Sequence, residues 1–240
     1  MTNSPTKSPL MPGSLKGKKI AFLLLLLCMV HPMSAQDTKV VRDLRLWTGV
    51  QIEKRLAKDW TLSLKEEIRF KEDISELNNY FTDAGLRYRI NKNFALEGGY
   101  RYTRDKKSDG SFETLTRYNL DLRYRGRLDF ITIDYRLRYQ KEVEGFNIFD
   151  QQADYEKYVR NRIRIRYNDF KAIKPFVSAE LFQLFRPNYY PELHYIRVLG
   201  GLRYEAGKLG NFDLAFGFNR EFANIEPFMI YVINANYTYQ

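Results

Sequence analysis

Arg160, Arg162, Arg164 and Arg166 stand at every second position of Tyr158–Tyr167. Guanidinium groups on one face can pair with carboxylates or hold an anion through charge-assisted hydrogen bonds. The same spacing recurs elsewhere with both signs of charge. Glu67, Arg87, Glu97 and Arg101 share it, as do Arg117, Asp121 and Arg123, then Asp134, Arg136 and Arg138, and finally Glu180, Arg197 and Arg203. This is the chemistry of ion pairing and anion contact, not of bond making. Catalytic groups are scarce. Cys28 and His31 lie in or beside an N-terminal apolar run, which leaves His194 with no serine nearby, and it reads as a loop-end residue. Glu66 and Glu67 are adjacent, so on a strand they face opposite ways and form no dyad. The chain has no phosphate-binding Gly loop and no His/Cys metal cluster. No enzyme and no cofactor are expected.

The elements that carry these residues are strands. Val159, Ile163, Ile165 and Tyr167 occupy the parity opposite the four arginines. On a strand that gives one apolar and one cationic face; a helix would spread arginine all round. Eleven such segments can be read, from Leu44–Arg55 to Phe228–Tyr239, and Phe176–Phe185 is apolar on both faces except Ser178, Glu180 and Gln183. Connections near Ala57–Asp59, Asn91–Asn93, Gly126–Asp129, Asp169–Lys174 and Ala206–Asn211 read as short. They alternate with longer polar ones at Glu72–Asn78, Asp105–Phe112, Lys141–Lys157, Arg186–Glu192 and Glu221–Glu226. Each short turn ends at an aromatic: Trp60, Phe94, Phe130, Phe176 or Phe212. Short turns on one side and long loops on the other fit an outer-membrane barrel. The fold class expected is all-β, an antiparallel up-and-down transmembrane barrel of 10–12 strands. A chain that enters and leaves from one side needs an even number, so Gln36–Asp43 either adds a strand or runs through the lumen, or one segment is misread.

In that fold the apolar parity meets lipid, and the charged residues named above are the lumen-lining candidates. Buried charges need partners. For the fifth and sixth segments, a register placing Arg123 opposite Asp134 and Asp121 opposite Arg136 avoids like charges face to face. The arginines of 160–166 need acids elsewhere, with Glu180 the nearest candidate. A plugged, ion-paired lumen and a small anion-favouring channel both suit such an interior.

Ahead of the barrel, Lys16, Lys18 and Lys19 precede the apolar run Ile20–Val30, and Pro32 and Ser34–Ala35 follow. This is the layout of an export signal cleaved after Ala35, giving residues 1–35 as signal peptide and 36–240 as barrel. Residues before Met11 read as an over-extended start. Removing residues 1–35 takes away Lys7, Lys16, Lys18 and Lys19 and no acid, which lowers the net charge from +10 to +6. So modest an excess does not call for nucleic acid. Outside the N-terminus, no apolar stretch approaches the ~18 residues of a spanning helix, a point that leaves barrels untouched.

Leu46–Leu56 with Trp60–Phe70 resembles the opening of domain-of-unknown-function family 2490, and Gly85–Tyr88 with Gly98–Tyr102 is similar to its next hairpin. The resemblance implies an exported barrel of the outer-membrane type found in Bacteroidota, with no established activity and no functional residues to carry over. Asn236–Gln240 is similar to a barrel-assembly signal, departing from it by ending in Gln. The expected protein is a monomeric, non-enzymatic outer-membrane barrel whose partners are membrane lipid and the assembly machinery, with a structural role or that of a narrow passive channel. The rivals are a soluble periplasmic β-protein that binds an acidic or lipid ligand and, further off, a barrel hydrolase.

Overall fold

A computed structural model describes residues 41–145, 155–186, 189–222 and 227–240. Residues 1–35, read from the sequence as an export signal, lie outside them, with Cys28 and His31. Eleven strands follow one another: β1 (Val41–Arg55), β2 (Trp60–Lys71), β3 (Glu76–Arg89), β4 (Phe94–Lys106), β5 (Phe112–Leu128), β6 (Ile131–Glu144), β7 (Tyr155–Tyr167), β8 (Ile173–Phe185), β9 (Glu192–Glu205), β10 (Asn211–Glu221) and β11 (Phe228–Tyr239). Each pairs antiparallel with the next, and β1 closes the barrel against β11. The closing pair is parallel, running from Val41 opposite Phe228 to Ile52 opposite Tyr239.

That parallel seam corrects the expectation of an even count. An odd barrel closes when its first and last strands point the same way, and β1 therefore starts on the rim where β11 starts. Asp43 belongs to β1, and the described residues hold no twelfth strand. The sorting of connections by length is also weaker than expected. Residues 72–75 match 56–59 and 90–93 of the opposite rim in length, and 107–111 match 206–210 there. The polar residues read as loop instead extend the ladder, tied by Lys106–Glu76 at 3.0 Å and Lys107–Glu113 at 3.1 Å. The connections at 145–154, 186–191 and 222–227 lie partly outside the described residues.

The β5–β6 register differs from the expected one. Arg123 faces Arg136, Asp121 faces Arg138 and Arg125 faces Asp134. The tight turn at Asp129–Phe130, with Asp129 at φ 47°, fixes this register by pairing Leu128 with Ile131. The like-charged facing pair persists because Arg123 turns to its other neighbour, where Glu97 accepts at 2.7 Å. A cross-strand rule applied to one hairpin misses the acid on the third strand.

Alternation then sorts the two faces. Val50, Leu64, Leu120, Leu214 and Phe216 point outward and are exposed, whereas Glu67, Asp121, Arg136 and Glu180 point inward and are buried. This inverts a water-soluble sandwich, in which apolar faces meet each other. Toward one rim the outer face carries aromatic pairs, Trp60–Tyr88, Phe94–Tyr124 and Phe212–Tyr237, with ring centroids 4.8, 5.1 and 4.7 Å apart. Between β9 and β10, only glycine fits at Gly217: a Cβ there would stand 1.9 Å from the Val198 carbonyl oxygen.

Candidate functional site: the charged lumen

Every lumen candidate read from the sequence lies on the inward parity of its strand, and the geometry joins most of them through shared carboxylates. Glu180 on β8 is 4% exposed and meets Arg136 at 2.5 Å, Arg160 at 3.0 Å and Arg197 at 3.7 Å. Arg160 also donates to the Gln140 side-chain oxygen at 2.9 Å. Asp121, fully buried, accepts both arms of Arg138 at 2.6 and 2.8 Å, with Arg123 at 3.4 Å and Arg136 at 3.9 Å. One guanidinium therefore bridges the two acids: Arg136 reaches from Glu180 toward Asp121.

Smaller groups flank this pair of hubs. Glu97 accepts from Arg87 at 2.6 Å and Arg123 at 2.7 Å, and Arg87 continues to Glu53 at 3.1 Å. Arg101 forks onto Asp83 at 2.6 and 2.5 Å, and Glu67 is held by Lys65 and, at 2.7 Å, by Arg69. Arg203 forks onto Asp213 at 2.7 and 2.5 Å, Arg117 stands 3.6 Å from Glu142, and Asp134 takes Arg125 at 2.5 Å and Arg166 at 2.7 Å. Glu180 thus pairs with Arg160 of the 160–166 row, as anticipated, while Arg162 faces Glu180 and Arg164 faces Asp134 across the ladders without closing to an ion pair. Among the described residues no carboxylate lies within ion-pair distance of Arg162 or Arg164, and the Nε of each is buried without an acceptor.

Sequence reading did not foresee the lumen's aromatic lining. Trp47, Phe176, Leu199, Ala215 and Val232 form one buried cluster, and Tyr158, Phe182 and Leu184 another. Arginines stack on these rings and on the buried Phe81: Arg101 over Phe81 at 3.4 Å, Arg160 over Phe182 at 4.2 Å, Arg164 over Phe176 at 4.4 Å and Arg197 over Trp47 at 4.6 Å. The guanidinium plane is satisfied by a π face where carboxylates run short. The signal was present in β8, whose apolar residues fall on both parities. Trp47 shows it too, standing on the parity opposite Leu46 and Ile52.

His194 is the additional residue of a β8–β9 bulge, since Phe182 faces Tyr195 while Gln183 faces Leu193. Its ring rests against Tyr158 and Tyr195, with centroids 5.8 and 5.2 Å away. Glu66 points outward, accepting a 2.7 Å hydrogen bond from the Thr82 hydroxyl, while Glu67 points inward. Among the described residues, no three His, Cys, Asp or Glu side chains are grouped to hold a metal ion. At the rim of the 129–130 and 168–172 turns lies a cavity of about 270 Å³. Arg125, Arg127, Arg166 and Lys174 line it, with Asp129 and Glu205.

The fold and its interior define a class: a closed eleven-stranded barrel, apolar outside and ion-paired inside. The family model described as "Protein of unknown function (DUF2490)" matches residues 44–225, and the chain belongs to that family. The match runs from β1 to the connection after β10. Neither a curated protein nor a solved structure was found to match the chain.

Proposed function

We propose that this chain is an exported, monomeric outer-membrane barrel with no enzymatic activity, and that its lumen is a fixed ion-paired plug. The observation that carries the reading is the inverted distribution of side chains. Leucines, valines and phenylalanines circle the outside in the open, while Asp121 and Glu180 are almost wholly buried within. An apolar exterior of this extent is unfavourable in water and suits hydrocarbon. Strands of this length are sufficient to cross a bilayer when tilted. The turns at 56–59, 90–93, 129–130, 168–172 and 206–210 are assigned to the periplasmic rim, next to the outer aromatic pairs.

The plug follows from packing. An eight-stranded barrel is just filled by its own side chains, and larger barrels open unless something occupies them. Here long arginines, their acids and the rings of Trp47, Phe81, Phe176 and Phe182 occupy the interior. A narrow anion-favouring passage is the second reading, favoured by the surplus of arginine over acid around Arg162 and Arg164.

Fractionation with gel migration tests the proposal. The protein is expected in the outer-membrane fraction, migrating faster unboiled than boiled. Recovery as a soluble periplasmic protein with no change on boiling would favour the soluble ligand-binding alternative.

A further inference from the structure

Inward-facing arginines stand side by side on three successive strands: Arg123 on β5 faces Arg136 on β6, which faces Arg162 on β7. Like charges placed directly opposite repel. The adjoining acids already serve several partners, Glu180 holding Arg136, Arg160 and Arg197, and Asp121 holding Arg138 with Arg123 and Arg136 nearby. Arg164 lies two residues along β7 with its guanidinium over Phe176. The Nε atoms of Arg123, Arg136, Arg162 and Arg164 are all buried and lack an acceptor. Arg136 itself is 8% exposed. A buried donor without an acceptor is costly, and more so when it carries charge.

We propose that Arg162 and Arg164, with Arg123 and Arg136 beside them, form a lumenal binding site for a small free oxyanion of the phosphate class. Such an anion supplies both what the row lacks in charge and what it lacks in acceptors. Guanidinium forks match tetrahedral oxyanions through paired N–H donors. A basic cavity lies at the nearby turn rim, lined by Arg125 and Arg166, and these two share Asp134, the residue that faces Arg164 across the β6–β7 ladder. The barrel wall separates this row from the surrounding acyl chains, so the source is a soluble anion and not a lipid headgroup. The site deepens the plug reading, because the anion completes the charge balance of the closed lumen.

The test is a titration of inorganic phosphate into the full chain in phosphate-free maltoside micelles, with ionic strength held constant by sodium chloride. Thermal unfolding is the readout. The wild-type Tm is expected to rise and saturate with phosphate. In the Arg162→Gln/Arg164→Gln variant the saturable rise is expected to vanish, while fast unboiled migration persists and reports an intact barrel. Arg162→Lys keeps the charge and loses the fork, and its half-saturation is expected roughly tenfold higher, the equivalent of one charge-assisted bond. A linear, non-saturating rise in wild type, or equal saturation in wild type and the double variant, would overturn the site. Either failure leaves membrane location and heat-dependent migration untouched, so it is distinct from failure of the barrel reading.

Discussion

Replacing Glu180 with alanine is expected to cost the barrel about 3–5 kcal/mol of unfolding free energy, the range for breaking a buried charge cluster from one side. Glu180 meets Arg136, Arg160 and Arg197, and none of those has another carboxylate closer than the 3.9 Å from Arg136 to Asp121. Removing the acid leaves cations facing cations, because Arg136 also faces Arg162 across the ladder. Urea unfolding of vesicle-reconstituted protein, followed by the fluorescence of Trp47 and Trp60, measures the loss. Glu76→Ala serves as the comparison. Glu76 pairs with Lys106 at 3.0 Å near the loop rim, where both side chains keep more than a quarter of their exposure. Exposed pairs of that kind contribute about 0–1 kcal/mol. Equal losses for the two variants would mean that the lumen is wet and that Glu180 is screened.

The second large effect belongs to the outer face. Leu120 lies midway along β5, points away from the lumen and is 57% exposed. In a bilayer, Leu120→Arg is expected to cost about 2–4 kcal/mol, the range for arginine on the lipid face near the midplane. In water, the same substitution at an exposed position changes stability by about 0.5 kcal/mol at most. The unfolding free energy in vesicles therefore separates the two environments without reference to any ligand. A negligible change would argue against hydrocarbon around β5.

The alternation of apolar and charged residues made the strands and their inward faces legible without coordinates. Period-two patterning is a property of single residues on single strands, and it placed Arg160–Arg166, Asp121 and Glu180 on the inner parity. Pairing is different, since it depends on what stands on the strand beyond the neighbour. Arg123 tolerates Arg136 because Glu97 lies on the far side, a relation that no two-strand comparison contains. The closure of β1 on β11 was illegible for a similar reason. Parity of strand number decides the count only where every neighbour is antiparallel, and the β1–β11 pair is parallel. The ring-stacked arginines are illegible in sequence because the apolar residues on the inner parity of β8, Trp47 and Arg197 lie far apart in the chain and together in the lumen.

The most direct measurement is the sidedness of the two barrel ends. Val41 starts on the same rim as Phe228, and Tyr239 ends on the rim of the tight turns. An epitope inserted directly ahead of Val41 is expected to bind antibody on intact cells. One placed after Gln240 is expected to bind only once the outer membrane is permeabilised. Both epitopes reached from the same side would contradict an odd, membrane-crossing barrel.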